Sequence, residues 1–160
     1  PTINETLKIL LQKKDHNKID LIIKDFKELY DLKYCFETKL YDGVRETLRK
    51  LSRTKRLILI TNKRLTPTVN MLKNTNIMKY FDEYFSVDQN IKSIKNKTLL
   101  IAKTIRLLKI DPKNAVYIGD TNGDHIASKK NNIKFAFACW GYGKCKDQAE
   151  FYLEDIRELT

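Results

Sequence analysis

Several things this chain has little of narrow its class at once. It has three cysteines, Cys35, Cys139 and Cys145, an odd number without metal-type spacing. That excludes a disulfide scaffold and a cysteine-ligated zinc site, and a reduced, cytoplasmic setting is the simplest inference. Cys139 closes an apolar run and reads as a buried thiol. No apolar run approaches membrane-spanning length, so no membrane partner is expected. The opening Pro1-Thr2-Ile3-Asn4-Glu5 has no basic region followed by an apolar core, so no signal peptide is visible. With only 5 glycines and 3 prolines there is no flexible linker, and no internal repeat is present. A length of 160 residues then points to one domain with a real core.

Positive charge is what the chain has in excess: 31 Lys and Arg stand against 20 Asp and Glu, a net +11. Such a balance invites a nucleic-acid reading. The distribution argues against it, because the basic residues are spread along the whole length and no basic block is interleaved with aromatics. Pairs such as Lys13-Lys14 and Lys129-Lys130 read as solvated helix faces. A basic surface also draws in a small anionic substrate.

Hydrophobic periodicity predicts alternating helices and strands. Asn4 can cap a helix over about 5–14. Ile19, Leu21, Ile22, Ile23, Phe26, Leu29 and Tyr30 recur at helical spacing over 17–32. Residues 33–42 read as an irregular connection, and 43–51 as helical. Arg56-Leu-Ile-Leu-Ile-Thr61 has the apolar, β-branched character of a strand covered on both faces. Pro67 sits in the first turn of a helix running to about Lys73. Strands are expected over 84–87, 116–118, 134–139 and 151–153, with helices over 97–109 and 122–130. Helices of that length between buried strands imply right-handed crossovers and a three-layer α/β parallel sheet, Rossmann-like in form. The first 40 residues, all helix and connection, are a candidate helical lid.

The chemistry gathers at predicted strand ends, where ligands of open parallel sheets bind. Ala115-Val-Tyr-Ile-Gly-Asp120-Thr-Asn-Gly-Asp124 stops a strand at Gly119-Asp120 and places a second carboxylate at the mouth of a helix. Two carboxylates form a hard oxygen site suited to Mg²⁺; equally, both could simply cap the helix. Thr61-Asn62-Lys63 ends another strand, either as a plain turn or as a hydroxyl and backbone N–H groups able to hold an anionic oxygen. Lys95, in Asn90-Ile-Lys-Ser-Ile-Lys95-Asn-Lys97, has no claim of its own inside a lysine-rich loop. His16 falls in an interhelical turn. His125 follows Asp124 inside a helix and reads as a packed or surface side chain rather than a base.

In this order the motifs resemble the haloacid dehalogenase-like hydrolase superfamily, within it the phosphoglycolate phosphatase-like branch. Leu57-Ile-Leu-Ile-Thr61-Asn62-Lys63 looks like the second family motif, whose hydroxyl binds the transferring phosphoryl group. Gly119-Asp120-Thr-Asn-Gly-Asp124 looks like the fourth, whose acidic residues hold Mg²⁺. The third is a lysine about two dozen residues earlier, which selects Lys95. Asn96 stands where relatives usually carry Pro, so Lys92 and Lys97 stay open. Leu40-Tyr-Asp-Gly43 and Trp140-Gly-Tyr-Gly143 are supporting likenesses, and the resemblance covers roughly 38–160. It implies a Mg²⁺-dependent phosphatase acting on a small phosphorylated substrate through an aspartyl-phosphate. Thr61 and Lys95 would be catalytic, Thr61, Asn62 and Lys95 would bind substrate, and Asp120 and Asp124 would hold the metal.

The family's first motif, an Asp-x-Asp carrying nucleophile and general acid-base, is absent, for no Asp-x-Asp occurs anywhere in the chain. Its strand would lie between the 56–61 and 115–118 strands. The expectation is therefore a reduced helical cap segment over 1–38 and an α/β core over 39–160 lacking its central first strand. Such a chain is a piece of a longer enzyme, a shortened relative, or one that borrows a strand from another chain. A non-catalytic binding or regulatory module that kept the fold is the alternative.

Overall fold

Two parallel ladders carry the chain. The computed structural model describes residues 3–11, 13–89, 96–144 and 149–160. Its helices are α1 (Ile3–Leu10), α2 (Ile19–Leu32), α3 (Val44–Leu51), α4 (Leu65–Asn74), α5 (Lys97–Leu108) and α6 (Asn122–Lys129). Its strands are β1 (Ile58–Thr61), β2 (Glu83–Ser86), β3 (Val116–Gly119), β4 (Lys134–Ala138) and β5 (Phe151–Leu153). β1 pairs in parallel with β2, Thr61 opposite Ser86. β3 pairs in parallel with β4, Gly119 opposite Phe137, and β4 in turn with β5.

The alternation of strand and helix therefore gives the expected parallel α/β architecture. It departs from a single continuous sheet in one respect: among the described residues β1 and β3 are both edge strands, with no hydrogen-bonded partner on the other side. The two ladders are held together from one face instead. Ile101 of α5, Ala127 of α6 and Ile133 form a buried cluster, and both Ile60 of β1 and Tyr117 of β3 pack on it. β3 alternates accordingly. Tyr117 turns to that core, while Val116 and Ile118 point the other way and are 52% and 41% exposed.

Local sequence explains the element ends. The Asn96 side chain accepts the Leu99 N–H at 3.1 Å and starts α5. Lys109 ends it in a left-handed turn with φ 52°, and the Ile110 N–H returns to the Ile105 carbonyl at 2.9 Å. Thr121 and Asp124 form a reciprocal capping box at the start of α6.

The 5–14 helix expected from sequence ends sooner, at Leu10, and a 3₁₀ stretch over Lys13–Lys18, containing His16, leads into α2. Part of the irregular 33–42 connection is a 3₁₀ turn, Tyr34–Glu37. The apolar stripe of α2 is only partly used. Ile19 is buried, but Leu21, Leu29 and Leu32 are exposed: among the described residues the main neighbours of this helix are α1, the Lys13–Lys18 and Tyr34–Glu37 turns and α4, and they leave part of the stripe uncovered. No helix among the described residues is long and apolar enough to cross a membrane. Cys35 is fully buried, whereas Cys139 is half-buried rather than buried.

Candidate active site

The two strand ends read from the sequence are both built by hydrogen bonds that reach beyond their own segments. After β1, the Lys63 N–H donates to the Thr61 hydroxyl oxygen at 3.0 Å, closing a tight local turn. The end of β2 secures the rest of this loop. The Ser86 hydroxyl lies 2.5 Å from the Lys63 carbonyl, and Asp88 accepts the Leu65 N–H at 2.8 Å, capping α4. Side chains then tie the loop to α2. Lys63 donates to the Tyr30 hydroxyl at 2.6 Å and sits 4.8 Å from the centre of its ring. Arg64 forms a two-pronged pair with Asp31, at 2.6 and 2.8 Å.

After β3 the two carboxylates have different environments. Asp124 is 2% exposed, and both its oxygens accept hydrogen bonds. Oδ1 receives Lys97, while Oδ2 takes the Thr121 N–H at 3.2 Å and the Thr121 hydroxyl at 2.6 Å. Burial first, and then the charges of the nearby Asp124 and Asp120, push the Tyr117 phenol well above its usual value, so it stays protonated. Asp120, by contrast, has one oxygen engaged: Oδ2 accepts the Tyr142 N–H at 3.0 Å, and among the described residues Oδ1 accepts nothing. The Asn122 Oδ1 beside it in sequence is buried without a partner among the described residues.

Asp120 opens onto a cleft of about 290 Å³ whose lining includes Tyr41, Gly119, Trp140 and Tyr142. The neighbouring Tyr142 side chain, more than burial or the nearby Asp120 charge, raises the Tyr41 pKa. A larger cleft of about 570 Å³ lies beyond Tyr41, between Gly43, Arg49 and Tyr80. Neither Asp120 nor Asp124 lines it, whereas Asp120 lines the smaller one.

Of the residues picked out in the sequence, Thr61 and Asp120 sit at the ends of β1 and β3, whose preceding residues Ile60 and Tyr117 pack on one shared cluster. Lys95 and its alternative Lys92 lie outside the described residues. The remaining alternative, Lys97, is in contact with Asp124. His125 is buried with its ring 5.1 Å from that of Phe135, the packed role expected of it. Tyr30, Asp31, Ser86 and Asp88 escaped the sequence reading. Only Asp88, a carboxylate just past a strand end, carried a local signal.

The donor set suits a small hard cation in part. Mg²⁺ takes one or two carboxylates and fills its octahedron with water and substrate oxygens. Asp120 offers an oxygen that accepts no hydrogen bond among the described residues, whereas both Asp124 oxygens accept from protein donors. Among the described residues no group of three His, Cys, Asp or Glu side chains forms a complete cage.

A parallel α/β sheet with a carboxylate pair past one strand and a hydroxyl turn past another defines the class: a Rossmann-like hydrolase fold with its site at the carboxyl edge. Residues 1–138 match the haloacid dehalogenase-like hydrolase family, and the chain belongs to it. It is 32% identical over 112 residues to a phosphoglycolate phosphatase of Aquifex aeolicus, covering 69% of this chain and 52% of that protein. It is 25% identical over 141 residues to the pyrophosphatase PpaX of Bacillus cereus, covering 88% of this chain and 65% of that one. The chain thus spans between half and two thirds of these relatives' length. A haloacid dehalogenase-like hydrolase from Streptococcus pneumoniae shares the fold with a TM-score of 0.88 at 22% identity, over 99% of this chain and 75% of that one. A predicted phosphatase from Clostridium acetobutylicum gives 0.84 at 22% identity, with the same coverage of each.

Proposed function

We propose that this chain is the greater part of a Mg²⁺-dependent phosphate monoester hydrolase, acting on a small phosphorylated substrate. The observation that carries the reading is the division of labour between the carboxylates. Asp120 lines the cleft and has an oxygen that accepts nothing among the described residues, while Asp124 is buried, paired with Lys97 and part of the cap that starts α6. Asp120 is the metal-binding residue. Asp124 acts on it from behind, by fixing the loop. When bound, Mg²⁺ offsets negative charge on the phosphoryl oxygens.

The chain's own residues bind and orient the substrate. The Thr61 hydroxyl and the Asn62 N–H hold phosphoryl oxygens at the end of β1, and a lysine near the start of α5 adds a fixed positive charge. Lys95 is the candidate for that lysine, with Lys92 and Lys97 as its alternatives. Lys97 has the supporting contact, since its ammonium already reaches the site through Asp124. The names of the relatives, a phosphoglycolate phosphatase and a pyrophosphatase, support a small phosphorylated substrate.

The nucleophile is not among these residues. Asp120 would have to leave the metal to attack phosphorus, and no Asp-x-Asp exists in the chain. The edges of β1 and β3, unpaired among the described residues, support a further strand between them, and an aspartate at its carboxyl end would supply the nucleophile for an aspartyl-phosphate. This strand completes the core over 39–160, with 1–38 as a reduced cap.

The test is an assay with an aryl phosphate and Mg²⁺, run on the 160-residue chain and on a form extended at its N-terminus by an Asp-x-Asp strand. Turnover only in the extended form, abolished by Asp120→Asn, is expected. Equal turnover by both places the nucleophile within the chain. No turnover by either points to a binding module.

A further inference from the structure

We propose that the Gly141-Tyr142-Gly143 loop is a positioning clamp on Asp120, with the two glycines and the Tyr142 main-chain N–H as positioning groups for the carboxylate. The inference rests on the reading of Asp120 as the metal-binding residue. It assigns a role to a loop that sequence reading treats only as a likeness.

The loop follows β4, which lies beside β3 with Phe137 opposite Gly119, so the chain leaving β4 emerges next to Asp120. A turn closed by the Gly141 N–H on the Ala138 carbonyl, at 3.1 Å, folds it back over that residue. Three contacts follow. The Tyr142 N–H donates to Asp120 Oδ2 at 3.0 Å. A Cβ placed on Gly141 would stand 2.1 Å from the Asp120 Cβ and 2.6 Å from its Oδ2. A Cβ placed on Gly143 would stand 2.0 Å from the Asp120 carbonyl oxygen and 3.0 Å from the Thr121 Cα.

Neither glycine has a positive φ. Any residue could adopt their backbone conformation, so what they supply is room for two main chains to touch. Gly123, in the same motif as Asp120, is different: the nearest atom to an added Cβ is the Thr121 Oγ1 at an ordinary 3.5 Å.

The physical consequence is directional. A carboxylate with one oxygen fixed by a main-chain donor, and its own Cβ and carbonyl wedged against the loop, has little rotational freedom. Its other oxygen is held toward the cleft before any ligand arrives. Partners that orient a ligating carboxylate in this way are worth about tenfold or more in metal affinity.

The experiment compares the parent chain with Gly141→Ala, Gly143→Ala, Asp120→Ala and Gly123→Ala. Two quantities are read: hydrogen exchange of the Tyr142 amide by NMR, and Mn²⁺ affinity by water-proton relaxation. The Tyr142 amide should be protected in the parent and in Gly123→Ala. It should exchange at the rate of an unstructured amide in Asp120→Ala and Gly143→Ala, with β4 and α6 amide shifts unchanged. Mn²⁺ affinity should fall about tenfold in Gly141→Ala and Gly143→Ala and stay at the parent value in Gly123→Ala. An unprotected Tyr142 amide in the parent overturns the clamp, as does parental Mn²⁺ affinity in both alanine variants. Should a glycine variant lose its fold, Asp120→Ala alone decides through the Tyr142 amide. A parent that protects Tyr142 but binds no Mn²⁺ upholds the contact and overturns the metal-site reading instead.

Discussion

Lys97, in the first turn of α5, reaches across to Asp124, in the first turn of α6, and supplies the cationic partner of that buried carboxylate. The Lys97 side chain is 21% exposed and that of Asp124 3%, so the pair is unequal: the acid depends on its partners, while the lysine keeps access to water. Removing one member of such a pair is costly when the charge left behind is buried. Lys97→Met leaves the Asp124 carboxylate uncompensated and should destabilise the chain by about 3 kcal/mol or more in urea unfolding. Asp124→Ala leaves a lysine that can still be solvated, but deletes one half of the α6 capping box, and should cost about 1 kcal/mol. Equal losses would show that the cap, not the charge left behind, carries this corner.

Asp31 and Arg64 join the helical segment to the β1 loop, 33 residues apart in sequence and two-pronged in geometry. Arg64→Lys keeps the charge but loses the fork. It should cost about 1 kcal/mol at this partly exposed site. It should also speed hydrogen exchange along α2 while leaving β3 and β4 unchanged. Tyr30→Phe should do less, since the ring beneath the Lys63 ammonium remains and only the 2.6 Å bond is lost. Uniform acceleration over the whole chain in Arg64→Lys would mean that the helical segment is not docked through this pair.

What the sequence could show here follows from the range of each interaction. The β1 and β3 runs and the 3.6-residue stripe of α5 are local patterns, and all three are found where the residues suggested, whereas the cap of α6 is Thr121 paired with Asp124 and not Asp120. Asp120 and Asp124 looked equivalent in sequence, because nothing along the chain reveals that Lys97 reaches one of them. Counting back from Gly119-Asp120 selected Lys95. A count cannot separate lysines two residues apart when both have long, flexible side chains. The Tyr30–Lys63 and Asp31–Arg64 contacts depend on how α2 docks beside α4, and no periodicity encodes that. The exposed stripe of α2 is the reverse case: the pattern correctly gave a helix, but too little chain packs on it to bury the face.

Asp155 and Arg157 should govern the acid limit of the C-terminal turn. The Arg157 side chain first, and then its main-chain N–H, hold the Asp155 carboxyl down to about 2, below the usual value near 4. A depressed folded-state pKa contributes stability that is present above the unfolded pKa and is lost as the pH falls through the folded one. The Ile156–Leu159 turn, which packs on α3, should thus hold at pH 5 and loosen between about 4 and 2. NMR titration of the Asp155 carboxyl should show the low midpoint in the parent and a return towards the usual value in Arg157→Ala. An unchanged midpoint in Arg157→Ala would assign the shift to the main-chain bond alone.

The open edges of β1 and β3 lead to the last prediction. Every strand of a parallel ladder points half of its N–H and C=O groups to each side. With β3 paired only to β4, one side of Val116–Gly119 has no ladder partner among the described residues, and β1 is in the same position beyond β2. Edges of this kind are templates for another strand. Val116 and Ile118 add an uncovered apolar face beside the gap. In the 160-residue chain, the β1 and β3 amides that do not bond to β2 and β4 should therefore exchange rapidly, while their inward-facing neighbours stay protected. An N-terminal extension carrying an apolar strand should protect all of them together and raise the unfolding temperature. Sedimentation at several concentrations completes the measurement. Full protection of both edges in the unextended chain, as a monomer, would mean that its own residues close the gap, and the proposal of a missing central strand would then fall. Full protection that appears only on self-association would show a second copy supplying the strand.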